Sequence, residues 1–166
     1  MLIMPNNFSR LSEKPEPERY QIQNAILVDR NNQRINLDQL KGKIVLFDVW
    51  SSSCLICIQK FPDLQKLVDK YRNDTLVRFI ALNMPLKRDN GIKPEKHTNK
   101  YTFEKMFFAT EEEAKKLSIT SVPLVLIFDK DLKCRYAGGL NFGWNIFLGN
   151  VENIINQLII AAGSNK

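Results

Sequence analysis

A chain of 166 residues is long enough for one domain with its own core, and its three cysteines are too few for a disulfide scaffold. With 24 Lys and Arg against 18 Asp and Glu the net charge is +6, but the basic residues are scattered and gather only as Lys87, Arg88, Lys93, Lys96 and Lys100. That spread favours a solvated surface over a nucleic-acid patch, though a basic face suits an acidic partner protein. No apolar stretch is long enough to span a membrane, and Met1–Pro5 is too short for a signal-peptide core.

Pro5, Pro15 and Pro17 among polar residues make positions 1–19 a predicted linker or mobile arm ahead of a domain over 20–166. Ile22 to Val28 and Gln33 to Asn36 read as a hairpin around Asp29-Arg30-Asn31-Asn32. Ile44 to Val49 is an apolar run broken only by Asp48, which suits a strand covered on both faces. Ser51-Ser52-Ser53 follows as a turn whose hydroxyls are expected to cap the helix that opens on Cys54-x-x-Cys57. Phe61, Leu64, Val68 and Tyr71 recur at helical spacing to about Arg72, with Pro62 expected to kink that helix.

Leu76 to Asn83 reads as a second, parallel strand after a crossover. Met84 to Lys100 is a basic segment punctuated by Pro85, Gly91 and Pro94, and Phe103 to Ala109 is a short strand candidate. Thr110 is an N-cap with Glu113 at capping-box spacing, starting a helix to about Leu117. Val122 to Asp129 and Lys133 to Ala137 form a predicted hairpin across Lys130-Asp131, leaving Cys134 as a half-buried strand thiol. Leu148, Val151, Ile154, Ile155, Leu158, Ile159 and Ala162 mark an amphipathic last helix. No internal repeat is present.

Two thiols three positions apart at a helix start can close a small disulfide ring, where free N–H groups and the helix dipole favour a thiolate. The strand, turn and Cys-x-x-Cys helix resemble the active-site region of the thioredoxin superfamily. They are most similar to the branch of extracytoplasmic thiol-disulfide oxidoreductases related to TlpA and ResA, with the pattern L-x-G-K-x-V-L-x-x-F-W-x-x-W-C-x-x-C-x-x-E-x-P. Leu40, Gly42, Lys43, Val45, Leu46, Trp50, Cys54, Cys57 and Pro62 match it. Ser121 to Asp131 resembles the cis-proline loop and following strand of that family, and the likeness runs from about Ile22 to about Ile159. One departure is Ser53, which stands where the family carries tryptophan.

The resemblance implies an α/β, thioredoxin-like fold: a mixed central sheet flanked by helices, with an N-terminal β-hairpin and a mid-chain insertion. It implies reversible exchange of a Cys54/Cys57 dithiol with protein thiols, in the reducing direction and without an organic cofactor or metal. Helix geometry makes Cys54 the exposed nucleophile and Cys57 the resolving thiol. Asp48 matches the buried acid of thioredoxins; it is either a proton relay to Cys57, with a raised pKa, or a structural polar group. The Val122-Pro123 bond is expected to be cis, with Val122 and Pro123 presenting backbone to a substrate strand. Trp50 is grouped with these substrate-binding residues, as support beneath the turn or as core.

Partners by the same resemblance are protein disulfides and a membrane or thioredoxin-type electron donor, with no nucleic acid, around a monomer. The place implied is the periplasm or the outer face of a membrane. Leu55 and Ile56 between the cysteines carry no charge, which points to a moderately reducing pair. Competing readings are a non-catalytic thioredoxin-like binding module and a thiol peroxidase, the latter lacking proline at Phe47. Zinc lacks further ligands beside Cys134 and His97, and c-type haem attachment lacks histidine at Ile58. His97 itself reads as a loop residue.

Overall fold

A computed structural model describes residues 16–139 and 144–163, the side chains of 144–147 excepted. Positions 1–15 of the predicted arm fall outside the described residues, and Pro17–Arg19 form a 3-10 turn. Seven strands build one sheet: β1 (Ile26–Asp29), β2 (Arg34–Asn36), β3 (Ile44–Trp50), β4 (Val77–Asn83), β5 (Glu104–Phe107), β6 (Leu124–Phe128) and β7 (Cys134–Gly138). They lie in the order β2-β1-β5-β4-β3-β6-β7. β3 is parallel to β4 and β4 to β5, whereas β6 flanks β3 antiparallel, so the sheet is mixed as expected. The helices are α1 (Leu55–Gln59), α2 (Phe61–Lys70), α3 (Glu95–Thr98), α4 (Glu111–Lys116) and α5 (Trp144–Gly163).

Every residue of β3 is buried, because a central strand with helices on both faces has no wet side. Alternation along the strand sends Ile44, Leu46 and Trp50 to a core shared with Phe61, Leu64 and Leu67 of α2 and Val151 and Ile155 of α5. Val45, Phe47 and Val49 point the other way, into a core with Leu27, Leu126 and Ala114. Entry to β3 is set by Gly42, whose φ of +88° is a conformation that only glycine adopts without strain. Its N–H donates to the Lys130 carbonyl at 2.7 Å, tying the start of β3 to the β6–β7 turn.

The structure corrects several boundaries. The first strand begins at Ile26, not Ile22, because Asn24 takes a left-handed φ of 63° and Ala25 N–H closes a turn onto Ile22 O. The long helix is two helices that meet at Lys60, and Pro62 sits in the first turn of α2, where its missing N–H costs nothing. The helix therefore breaks before the proline instead of bending at it. Leu67 joins Phe61 and Leu64 in full burial, while Val68 and Tyr71 are half-buried. The capping residue of α4 is Thr110 as predicted, its Oγ1 accepting Glu113 N–H at 3.2 Å, but Glu113 reaches back to Ala109 N–H and not to Thr110. The basic segment holds a 3-10 turn (Lys87–Asp89) and the short α3.

Candidate functional site

The Cys-x-x-Cys pair lies just past the end of β3. Cys54 is the N-cap of α1: its Sγ accepts the Cys57 N–H at 3.3 Å, and its own N–H donates to Ser51 O at 3.0 Å. The expected hydroxyl cap is thus replaced by sulfur, and the serines are engaged elsewhere or enclosed. Cys54 and Cys57 are joined in a disulfide, with Cys57 0% exposed and Cys54 half-buried. Cys54 is the more exposed residue of the pair and Cys57 the enclosed one. Between them Leu55 and Ile56 are 66% and 56% exposed, large apolar side chains held in water at the mouth of the site.

The antiparallel register pairs Val49 of β3 with Leu124 of β6. The chain just before Leu124 therefore lies at the same end of the sheet as the cysteine turn. That chain carries Val122-Pro123, whose peptide bond is cis as predicted. Val122 and Cys54 both pack at the margin of the core that holds Trp50 and Phe61. Trp50 itself is 1% exposed, with ring centroids 4.9 Å from Phe61 and 6.3 Å from His97. It underpins the turn and offers no surface to a substrate, which corrects its grouping with the substrate-binding residues. His97 is not in a loop but in α3, edge-on to Trp50. Trp50 Nε1, Ser51 Oγ, Asn83 Nδ2 and His97 Nε2 are buried without a hydrogen-bond partner among the described residues.

Asp48 lies on the same face of β3 as Trp50, beneath α2, and forms an ion pair with Lys60: Nζ to Oδ1 is 2.5 Å, with both side chains buried. Burial pushes the Asp48 carboxyl above the usual carboxylate range, and the charge and hydrogen bond of Lys60 only partly oppose that. Lys60 is the junction of α1 and α2, and its N–H donates to Cys57 O at 3.2 Å. One residue thus touches the backbone of Cys57 and the carboxylate of Asp48. Sequence reasoning missed it, although a signal was present: Lys60 stands where the quoted family pattern has glutamate.

A second missed residue is Asp89. Its Oδ1 accepts both the N–H and the hydroxyl of Ser53, at 3.0 and 2.6 Å, and its Oδ2 accepts Leu86 N–H at 2.8 Å. The serine that replaces the family's tryptophan is thereby bound to the inserted segment. A carboxylate sits one residue from Cys54. Cys134, the remaining thiol, lies on β7 with its S–H donating to Tyr136 O at 3.2 Å, and burial pushes its pKa up to about 12.

No family model and no curated protein matches this chain. Solved structures do. One is a candidate thiol:disulfide interchange protein DsbE from Chlorobium tepidum, with TM-score 0.66 and 20% identity over 86% of this chain and 95% of that one. DsbF from MTB, solved in mixed oxidised and reduced forms, gives TM-score 0.64 at 14% identity over 82% of this chain and 96% of its own. The exposed lipoprotein thioredoxin of Streptococcus pneumoniae strain TIGR4 gives 0.60 at 18% identity, covering 80% and 98%. The chain has a thioredoxin-like fold, of the form seen in TlpA- and DsbE-like thiol-disulfide oxidoreductases, and carries its Cys54–Cys57 disulfide in it.

Proposed function

We propose that this protein is a thiol-disulfide oxidoreductase that reduces disulfides of other proteins. The observation that carries the reading is the arrangement of the two cysteines: Cys54 half-buried at the N-cap of α1, Cys57 fully buried, bridged to each other. In the reduced chain the Cys54 thiolate attacks a substrate disulfide, forming a Cys54–substrate bond and expelling one substrate thiolate. The Cys57 thiolate then attacks Cys54 Sγ, which restores the Cys54–Cys57 disulfide and releases the second substrate thiolate. Two electrons pass to the substrate and its two thiolates take up protons. An external dithiol donor, of the membrane or thioredoxin type, completes the cycle by reducing Cys54–Cys57.

Val122 and Pro123 serve as the backbone edge on which an extended substrate lies. For Asp48, the contact with Lys60 supports a role in placing charge behind Cys57: the pair can hold the proton that Cys57 gives up when it attacks. Two features of the turn support the reducing direction. Leu55 and Ile56 supply no cation to a Cys54 thiolate, and the Asp89 carboxylate on Ser53 opposes one. A dithiol whose thiolate is not stabilised gives up electrons readily.

The working place is outside the cytoplasm. Among the described residues no helix is long and apolar enough to cross a membrane, and one structural neighbour is an exposed lipoprotein.

The test is a titration of Cys54/Cys57 against defined thiol buffers, paired with insulin reduction by the full chain and by Cys54→Ser. A reversible two-electron transition at a reducing potential, with activity lost in Cys54→Ser, is expected. A potential near the roughly −120 mV of strong oxidants overturns the direction. A pair that never cycles makes the chain a binding module, the reading that the missing tryptophan at Ser53 favours.

A further inference from the structure

At the Lys87–Asp89 turn and the segment before Pro123 lies a groove of about 480 Å³, lined by Leu86, Lys87, Arg88, Glu111, Ser121 and Val122. We infer that this groove receives an acidic stretch of the substrate protein next to its reactive cysteine, so that substrates are selected by negative charge. The inference rests on the disulfide-reductase reading and adds the substrate class.

Three observations carry it. First, the basic wall is fixed to the nucleophile's turn and is not a drifting loop tip. Asp89 binds Ser53 through its N–H and hydroxyl and closes onto Leu86 N–H, so Lys87 and Arg88 stand between two anchored residues. Second, both basic side chains are exposed, and among the described residues neither lies in an ion pair. The one acid among the described residues that lines the groove, Glu111, is engaged, and so is Asp89 at the turn. Asp89 is buried on its three donors, and Glu111 is bridged to Lys115 Nζ at 2.7 Å. Third, the groove shares Val122 with the candidate substrate edge, so a strand laid on Val122 passes the basic wall. Lys93, Lys96 and Lys100, exposed on the same insertion, extend the field in the same sense.

Charges at such a rim act on encounter and on wrong-partner rejection more than on tight binding. The experiment uses the reduced full chain and two disulfide-linked peptides of equal length, one with Asp and Glu beside the cysteine and one with Lys. The acidic peptide should show a kcat/KM higher by roughly threefold to tenfold, from two exposed charge pairs, and the gap should close in high salt. In the double variant Lys87→Glu with Arg88→Glu the preference should invert, a result that mere misfolding does not produce. Equal rates for the two peptides, or an unchanged preference in the variant, would overturn the inference.

Hydroxyethyl disulfide, small and uncharged, separates this failure from that of the underlying reading. A chain that reduces it yet does not discriminate the peptides keeps its function and loses the acidic substrate. A chain that reduces nothing loses the reductase reading, and the groove is then judged by fluorescence anisotropy of Cys-to-Ser versions of both peptides on the oxidised chain. Tighter binding of the acidic one supports the groove, and equal binding overturns it.

Discussion

Lys60 Nζ approaches Asp48 Oδ1 to 2.5 Å in a setting from which water is almost wholly shut out. Removing one partner of such a pair leaves the other charge buried against apolar neighbours. Lys60→Met, which leaves the Asp48 carboxylate buried without its cation, is therefore expected to lower stability by about 3–5 kcal/mol. The double variant Asp48→Asn with Lys60→Met should recover most of that loss, since an apolar pair of similar volume often matches a buried ion pair. Urea unfolding at neutral pH checks both, and a single variant as stable as the parent would show that the Asp48 carboxylate finds a full substitute.

The same pair has a pH signature. Asp48 is held above its ordinary value of 3.8, so between that value and its folded pKa the native chain carries more protons than the unfolded one. Stability then falls as pH rises through this window, the reverse of an ordinary paired surface carboxylate. The difference in unfolding free energy between parent and Asp48→Asn should therefore shrink in the parent's disfavour as pH climbs, and be flat below 3.8. Calorimetric melts of both chains across acid pH measure that slope.

How far the sequence discloses the site can be judged on these residues. Asp48 is visible because a lone acid interrupts an apolar strand, and Cys54, Cys57 and Pro123 are visible through spacing and motif order. Lys60 is marked only by standing where the family pattern has glutamate, and no periodicity says that a helix breaks there and turns the lysine inward. Asp89 is hidden for a different reason: its contact with Ser53 closes a loop of 36 residues, and local periodicity carries no information over that span. The strands β3 and β4 and the β6–β7 hairpin lie close to where their apolar runs place them. The start of β1 does not, because Asn24 can take a left-handed turn that propensity alone leaves open.

Asp89 and Ser53 yield their own expectation. Asp89→Asn keeps one acceptor oxygen but turns an amide NH₂ toward an N–H donor, so one of the three bonds must fail. A loss of up to about 1.5–3 kcal/mol is expected for a charged acceptor with part-buried donors. Because a carboxylate one residue from Cys54 is removed as well, the Cys54/Cys57 midpoint should move toward the oxidising side. Thermal melts and a thiol-buffer titration of the same variant read the two effects separately, and an unmoved midpoint would mean that the carboxylate only holds the loop.

Cys134 should be nearly inert. With its pKa pushed up to about 12, its thiolate fraction at pH 8 is on the order of a thousandfold below that of an ordinary cysteine. Iodoacetamide on the reduced chain, followed by mass spectrometry, should label Cys54 first and Cys134 last. Rapid labelling of Cys134 would show that β7 opens readily.

Leu55 and Ile56 should be separable from stability. Both are largely in water, so the double variant Leu55→Ser with Ile56→Ser is expected to change the unfolding free energy by no more than about 0.5 kcal/mol per site. Its KM for a protein disulfide should rise while its rate with hydroxyethyl disulfide holds, if these side chains meet the substrate. Parallel assays with the two disulfides decide this.

The cover over Asp48 has a history in time as well as in space. The small void beside its carboxylate is lined by Leu64 and Leu67 from α2, but also by Val125, Leu148 and Val151, which are synthesised much later. Lys70 and Tyr71 at the end of α2 are fastened to Glu152 and Asn156 of α5, at 2.6 and 2.8 Å. When the cysteines leave the ribosome, Asp48 is still an ordinary wet carboxylate with no roof. It acquires its perturbed chemistry only once α5 has docked, about a hundred residues afterwards. A nascent chain therefore carries both thiols well before it carries the environment that governs them, and during that interval its redox behaviour is that of an unprotected peptide.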